Sequence, residues 1–325
     1  MKTITEFQFT SMEKSNKIVA FIDLLAFSNN VRKNTGDAMM VFSNYNAILH
    51  SKIREGIVHP VDSYPQELQE RAKNTAVDSF EYFIPFSDSI FIVSDDINSF
   101  IKQLSSFVYN CFHFTSHFYI NPKDISDPTK SEMISFSFND KGEVISDYVD
   151  AHYYPTIFRG GIACGEVFPI DLWSIADKKP ENRKTVAGKA VVRAVELEGN
   201  VKGPRIIFDA DIIDIIDEQV KNMYIRRVDG TEFYEILWPA IKYIPENGFQ
   251  DADSFHEMFT CAINLWKGYN HTPYSAHYFS FIELIIASAL QFFEAIGYKN
   301  EALKMVKEAI KNKGLEGKIS SLIIS

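Results

Sequence analysis

Two stretches, Ile18-Val-Ala-Phe-Ile-Asp23-Leu-Leu-Ala-Phe27 and Phe86-Ser-Asp88-Ser-Ile-Phe-Ile-Val93, decide the fold, because each sets one aspartate in an otherwise apolar run. Short apolar runs of this kind are typical of buried β-strands. A carboxylate at the end of a buried strand is costly to desolvate unless donors or a cation satisfy it. The two aspartates therefore predict a shared divalent ion.

The second stretch lies in a tight pair of strands. Residues 82–85 and 89–93 flank Asp88 and leave no room for a helix, so we expect Asp88 on or beside a hairpin turn. Helical spacing of apolar residues, together with capping residues, predicts helices elsewhere in the chain. These helices cover residues 35 to about 55, 94 to about 118, and 189 to about 198.

Further strands complete the pattern. The glycine-rich segment 156–168 reads as a strand whose glycines permit close backbone approach, and a charged loop is predicted over 177–184. Segments 204–216 and 223–238 read as further strands or short elements. The order β-α-β-β-α-β predicts an α+β fold of the ferredoxin-like type.

We expect a catalytic domain over residues 1–245 and a C-terminal helical extension over 246–325. The first part carries insertions near 57–78 and 120–152, and the second insertion contains a hairpin around an Asp140-Lys-Gly142 turn. The extension is helical because strong apolar helix faces run through 277–296 and 300–313.

Composition narrows the class of protein. The chain has 325 residues, 46% of them hydrophobic, and a net charge of −10, which disfavours nucleic acid as a partner. Glu283 and Glu294 interrupt the longest apolar run, so no membrane span is expected. Cys111, Cys164 and Cys261 are odd in number and lack a CxxC pair, which argues against disulfides and structural zinc and favours the cytosol.

Four motifs in order resemble the class III nucleotidyl cyclase catalytic domain, and more closely the pyrimidine cyclases of bacterial Pycsar antiphage systems. The resemblance spans roughly residues 17–240. The motifs are an aspartate at the end of the first strand, a second aspartate on a hairpin, an Arg-x-Gly-Ile-x-x-Gly-Glu stretch, and a glycine-led helix ending in Leu-Glu. Here they are Asp23-Leu-Leu-Ala-Phe27, Ser87-Asp88-Ser89, Arg159 to Glu166, and Gly188 to Glu198.

The resemblance implies that the 3′-hydroxyl of a nucleoside triphosphate attacks the α-phosphorus and that pyrophosphate leaves. It implies two Mg²⁺ or Mn²⁺ ions bound by Asp23 and Asp88, with the backbone carbonyl of Leu24 as a further ligand. It also implies that backbone amides at a helix start hold the phosphates. These amides belong to Leu25, Ala26, Phe27 and Ser28.

The chain departs from purine cyclases of this class at the positions that read the base. Ile84 and Thr185 stand where those enzymes place polar side chains, and Ile84 cannot hydrogen-bond a base edge. This difference favours a pyrimidine, UTP more than CTP. Val192 and Glu196 replace the usual transition-state asparagine and arginine, so another cation is required. The candidates, left unranked, are Lys189, Arg193 and Arg159.

The resemblance further implies a homodimer with composite active sites and a separate cyclic-nucleotide effector protein. A purine cyclase, or a nucleotide-binding module that has lost turnover, remains the alternative. Arg159 has a structural interpretation as well, in which it pairs with Glu166 or Asp150 on the strand edge. His113 and His117 are spaced as a helix face and lack a third ligand for zinc.

Overall fold

The computed structural model describes residues 15–319. The strands are β1 Ser15–Leu24, β2 Tyr82–Phe86, β3 Ser89–Ser94, β4 Lys130–Phe138, β5 Val144–His152, β6 Phe158–Ala176, β7 Lys179–Ala187, β8 Ile206–Phe208, β9 Ile225–Arg227 and β10 Tyr234–Ile236. The α-helices are α1 Phe27–Lys33, α2 Thr35–Val58, α3 Gln66–Thr75, α4 Ile97–Ile120, α5 Lys189–Glu198, α6 Glu218–Tyr224, α7 Ala252–Tyr269, α8 Ser275–Ala295, α9 Lys299–Asn312 and α10 Glu316–Ile319.

The main sheet has β1 near its centre. Strand order is β2-β3-β1-β6-β8-β10-β9, with β1 antiparallel to both β3 and β6. Because α2 connects β1 to β2 and α4 lies between β3 and β6, the strands β1, β2, β3 and β6 form the split βαββαβ arrangement. The predicted α+β, ferredoxin-like fold is confirmed. The hairpin at Asp88 is confirmed with it, since β2 and β3 pair directly around a two-residue turn.

The two faces of this sheet are covered differently. Side chains alternate along β1, so Ile18, Ala20 and Ile22 join a large core with the helices α2, α4, α7 and α8. Val19 faces the other way and joins a much smaller core under α5. Asp23 has the same parity as Val19 and therefore lies on the α5 face of the sheet.

Helix α5 lies unusually close to the sheet because of glycine. A Cβ on Gly161 would stand 2.3 Å from the Ala194 carbonyl oxygen and 2.5 Å from the Leu197 Cβ. The predicted close packing is thus confirmed at Gly161. Gly165 is different, because a Cβ there would meet its nearest neighbour only at 3.9 Å, and its φ of +149° is the constraint instead.

The predicted charged loop over 177–184 is wrong. Strands β6 and β7 form a long hairpin that turns at Asp177 and Lys178, whose φ angles are 50° and 63°. Most of β7 is exposed on both faces, so it lacks the apolar alternation by which strands are recognised. The hairpin predicted within 120–152 is confirmed as β4 and β5, and the insertion near 57–78 contains α3.

The C-terminal helices predicted beyond residue 246 are confirmed, and they pack onto α4 rather than standing apart. The Phe112 and Phe281 ring centroids are 5.1 Å apart. Helix α8 is long and apolar enough for a membrane span, so its two glutamates do not exclude one, but 67% of its apolar window is buried in the protein. The boundary at residue 245 stays a prediction.

Candidate active site

The end of β1 brings the two predicted aspartates together. The Leu24 N–H donates to the Asp88 carbonyl oxygen at 3.0 Å, which ties β1 to the β2–β3 turn. In the β1–β3 register Asp23 stands opposite Ser89, whose hydroxyl donates to Asp23 Oδ1 at 2.7 Å. The turn itself holds Ser87 at a φ of 56°. Two residues far apart in sequence therefore share one corner of the sheet.

Burial is the main influence on the pKa of the Asp23 carboxyl. Its side chain is 17% exposed, and desolvation raises the pKa of this carboxyl above its ordinary value. The hydrogen bond from Ser89 opposes that rise, the negative charge of Asp88 adds to it, and Arg159 opposes it again. Removal from water is thus the main reason that the pKa of Asp23 is raised, and the charge of Asp88 adds to it.

Arg159 supplies the cation within this corner. It stands opposite Asp23 in the β1–β6 register, and its Nη2 lies 3.4 Å from Asp23 Oδ2. Its Nε forms an ion pair with Glu198 Oε1 at the end of α5. The expected partner Asp150 instead pairs with Lys130, at 3.2 Å.

Glu198 is a residue of the site that sequence reasoning missed. Its side chain is 15% exposed, and burial raises its pKa, with Arg159 opposing and Asp23 adding to the rise. The signal in the sequence is its place one turn after Ala194 and next to Leu197, on the apolar face of α5. An acidic residue on such a face calls for a buried partner.

The predicted phosphate-binding amides are not equivalent. The Leu25 N–H donates to the Ile157 carbonyl at 2.8 Å, so this amide is already satisfied. Ala26 adopts a left-handed conformation, with φ 64°, and precedes the first residue of α1. The amides of Ala26, Phe27 and Ser28 therefore belong to the helix start, where N–H groups lack intrahelical acceptors.

The cations predicted on α5 have other surroundings than the two aspartates within one chain. The Arg193 guanidinium makes two hydrogen bonds of 2.7 Å to Asp209 and one of 3.1 Å to Glu196. Lys189 is exposed at the first position of the helix. Among the described residues, neither cation forms an ion pair with Asp23 or Asp88.

The structure places the two predicted base-reading residues differently. Ile84 stands opposite Phe91 in the β2–β3 pair and packs against the small core. Thr185 stands opposite Ile170 in the β6–β7 hairpin and is half-buried. Ile84 therefore faces the side of the sheet that carries Asp23, whereas Thr185 alternates with Val186, the residue of β7 that packs into the small core under α5.

A divalent ion fits this donor set only in part. Within residues 15–319, no group of three or more His, Cys, Asp or Glu side chains is placed to hold a metal. Mg²⁺, however, is commonly bound by one or two carboxylates together with waters and substrate phosphates. Asp23 and Asp88, with the Leu24 carbonyl, meet that requirement.

Comparison with solved structures finds nucleotidyl cyclases. The guanylyl cyclase Cya2 aligns over 69% of this chain and 93% of its own, at 12% identity and a TM-score of 0.40. The adenylyl cyclase CyaB from P. aeruginosa aligns over 69% and 95%, at 14% identity and a TM-score of 0.34. A bacterial light-regulated adenylyl cyclase aligns over 69% of this chain and 91% of its own, at 14% identity and a TM-score of 0.33. Likeness at this level carries no argument about activity.

No protein-family model and no curated protein sequence matches the chain. The site must therefore be interpreted from its own residues.

Proposed function

We propose that this protein is a metal-dependent nucleotidyl cyclase that converts UTP, or CTP, to the 3′,5′-cyclic monophosphate and pyrophosphate. The observation that carries the proposal is the corner at which Asp23 and Asp88 meet, fixed by the Leu24 to Asp88 hydrogen bond and by Ser89. The order of motifs that resembles class III cyclases supports the same interpretation. Two convergent carboxylates suit phosphoryl chemistry, in which positioning and charge stabilisation do most of the work.

In the proposed reaction, the ribose 3′-hydroxyl loses its proton to solvent water and its oxygen bonds to the α-phosphorus, while the bond from that phosphorus to the pyrophosphate oxygen breaks. Asp23 and Asp88 would hold Mg²⁺ or Mn²⁺, and the hydroxyl of Ser89 fixes the orientation of Asp23. When bound, the metal lowers the pKa of the attacking hydroxyl and neutralises the triphosphate. The amides of Ala26, Phe27 and Ser28 at the start of α1 would donate to the phosphates.

A homodimer would complete the site. Among the described residues, Lys189 and Arg193 form no ion pair with the two aspartates of their own chain, and exposed apolar side chains lie next to them on α5. Val192 is 59% exposed and Val195 41% exposed, which is unusual for valines on one helix face. A second copy packed on this face would cover both valines and bring the α5 cations to the aspartates of its partner.

The base is proposed from the residues that border the site. A polar position discriminates strongly because the wrong base leaves a buried donor or acceptor unpaired. Ile84 offers no such group, whereas the Thr185 hydroxyl both donates and accepts. A pyrimidine read by Thr185 is therefore favoured over a purine. By resemblance to Pycsar cyclases, the product would be a cytosolic antiphage signal read by a separate effector protein.

Incubation of the purified protein with each of the four ribonucleoside triphosphates and Mn²⁺ tests the proposal, with products identified by mass. We expect UTP turnover to exceed ATP and GTP turnover by at least about tenfold, which requires about 1.4 kcal/mol of differential transition-state binding. A preference for ATP or GTP would support the purine-cyclase alternative instead.

One observation favours a second candidate, a nucleotide-binding module without turnover. Arg193 is held by Asp209 and Glu196, and Arg159 by Glu198 and Asp23, so both arginines are already neutralised. Nucleotide binding without any cyclic product would identify this candidate. Partial activity in mixtures of Asp23→Ala chains with Lys189→Ala/Arg193→Ala chains, each inactive alone, would support the composite dimeric enzyme.

A further inference from the structure

The Arg159 guanidinium is shared between two carboxylates. Its Nε is in close contact with Glu198 Oε1, whereas its Nη2 stands 3.4 Å from Asp23 Oδ2. A guanidinium binds a carboxylate most strongly when two parallel N–H groups reach both oxygens. Here the fork is divided between two carboxylates. Nη2 donates a hydrogen bond to Asp23 Oδ2, and the Nε contact with Glu198 is an ion pair without hydrogen-bond geometry, so neither carboxylate receives two parallel N–H groups.

The hydrogen bonds of Asp23 show which of its oxygens is held more weakly, because the bond from Arg159 to Oδ2 is longer than the bond from Ser89 to Oδ1. Oδ1 accepts the hydrogen bond from Ser89 at 2.7 Å, so Oδ2 is the oxygen that faces Arg159. A guanidinium placed fully on Oδ2 would compete directly with a divalent ion. It would also put a positive charge beside the ion. Glu198 therefore acts on Asp23 through the position of Arg159.

The place of Glu198 is itself tightly set by the backbone. Helix α5 crosses β6 at Gly161, two residues after Arg159, and a side chain at Gly161 would overlap Ala194 and Leu197. This contact fixes the last turn of α5, and with it Glu198, against the strand that carries Arg159. Glu198 is also mostly buried, which strengthens its ion pair relative to an exposed one.

We propose that Glu198 is a positioning residue that holds the Arg159 guanidinium off Asp23 and so keeps the Asp23 carboxylate available to a divalent ion. This inference rests on the proposed function in one respect, namely that Asp23 is a metal ligand. Loss of the Glu198 charge would release Arg159 to form a two-bond pair with Asp23. Removal of Arg159 as well would abolish the competition.

The test is Mn²⁺ binding to the nucleotide-free full-length protein, with free Mn²⁺ measured by electron paramagnetic resonance. We expect Glu198→Gln to weaken binding about tenfold or more, the range typical of residues that orient a metal ligand. The double variant Arg159→Met/Glu198→Gln should return to within about threefold of wild type, because the competing guanidinium is gone.

Glu196→Gln is the matched control, since it removes the same charge from the same helix at a residue that pairs with Arg193. It should change Mn²⁺ affinity by less than about twofold. Equal affinities for Glu198→Gln and Glu196→Gln would overturn the inference. A double variant as weak as Glu198→Gln would overturn it too, because Glu198 would then act by charge alone.

Two further variants keep the result interpretable. Asp23→Asn should abolish tight Mn²⁺ binding, and if it binds like wild type, the proposed metal site fails and this inference fails with it. Circular dichroism melts check folding. Should Glu198→Gln not fold, Glu198→Asp keeps the charge but withdraws the carboxylate by one methylene. We expect a several-fold loss of affinity in that variant, and an unchanged affinity would contradict the inference.

Discussion

The two faces of the main sheet differ in how they are covered. On one face, α2, α4, α7 and α8 bury a continuous core that includes the fully buried aromatic rings of Phe107, Phe112 and Phe281. On the other face, among residues 15–319, α5 is the helix that covers the strands, and its core consists mainly of valine, alanine, isoleucine and leucine. The carboxylates Asp23 and Glu198 lie on this second face.

This difference separates stability from activity within one sheet. Large apolar side chains removed from water supply most of the folding free energy, so the thickly covered face holds the fold together. The thinly covered face is where we propose that the nucleotide and a second chain bind. Substitutions on the thickly covered face should therefore lower the free energy of unfolding, whereas substitutions of the carboxylates on the thinly covered face should lower the proposed activity.

The largest effect on stability is expected from Phe281→Ala. Phe281 is fully buried between Phe112 and Trp238, so its truncation should cost about 3–5 kcal/mol of unfolding free energy. Asp23→Ala should change the stability of the metal-free protein by less than about 1 kcal/mol, because it removes a buried carboxylate and leaves Arg159 paired with Glu198. Urea denaturation measures both values. Similar losses in the two variants would contradict the division of roles between the faces.

A smaller loss of stability is expected where α5 touches the sheet. Gly161→Ala inserts a methyl group 2.3 Å from the Ala194 carbonyl oxygen, and we expect a cost of about 1–3 kcal/mol as α5 is displaced. Gly56→Ala is the control, since no atom lies within 4 Å of its added Cβ on α2. That change should stabilise the protein by about 0.5–1 kcal/mol. Thermal melts measure the change in melting temperature for both variants. Equal changes would show that the packing of α5 on the sheet does not require glycine at position 161.

Association through the thin face should be sensitive to charge. Val192→Asp places a carboxylate in the proposed interface and should weaken self-association at least about tenfold. Ile57 is 77% exposed on α2, on the opposite side, so Ile57→Asp should leave association unchanged. Sedimentation velocity over a dilution series distinguishes the two variants. An effect of Ile57→Asp alone would place the interface on the other face.

The smallest expected effect is a pH dependence of folding stability that comes from His277 on α8. Its Nδ1 accepts the Gly203 N–H at 3.0 Å, and burial lowers its pKa, with the cations Arg159 and Lys202 acting in the same direction. A histidine whose folded pKa lies below the unfolded value near 6.5 contributes stability above that value and loses it as the pH falls through its folded pKa. The loss should stay below about 1 kcal/mol because His277 is partly exposed and screened by solvent.

Urea denaturation at pH 7.5 and pH 5.5 measures that loss. His277→Gln should remove this part of the pH dependence while other groups continue to titrate. An unchanged difference between the two pH values in His277→Gln would show that His277 contributes nothing to it.

The sequence was informative where local pattern determines structure. The hairpin at Asp88 and the helix Lys189–Glu198 follow from turn chemistry and helical spacing, and both are confirmed. The partners of Arg159 could not be found in this way, since they depend on the β1–β6 register and on where α5 crosses the sheet. Strand β7 was missed because a hairpin projecting into solvent needs no apolar alternation.

The central claim, that the corner formed by Asp23 and Asp88 turns over nucleotides, is tested most directly by cyclic UMP formation from UTP and Mn²⁺. We predict that Asp23→Ala and Asp88→Ala each reduce formation by at least about a thousandfold, since each removes a ligand of the metal site. Asp140→Ala, which alters an exposed carboxylate in the β4–β5 turn, should keep wild-type activity. Wild-type rates in either of the first two variants would contradict the account.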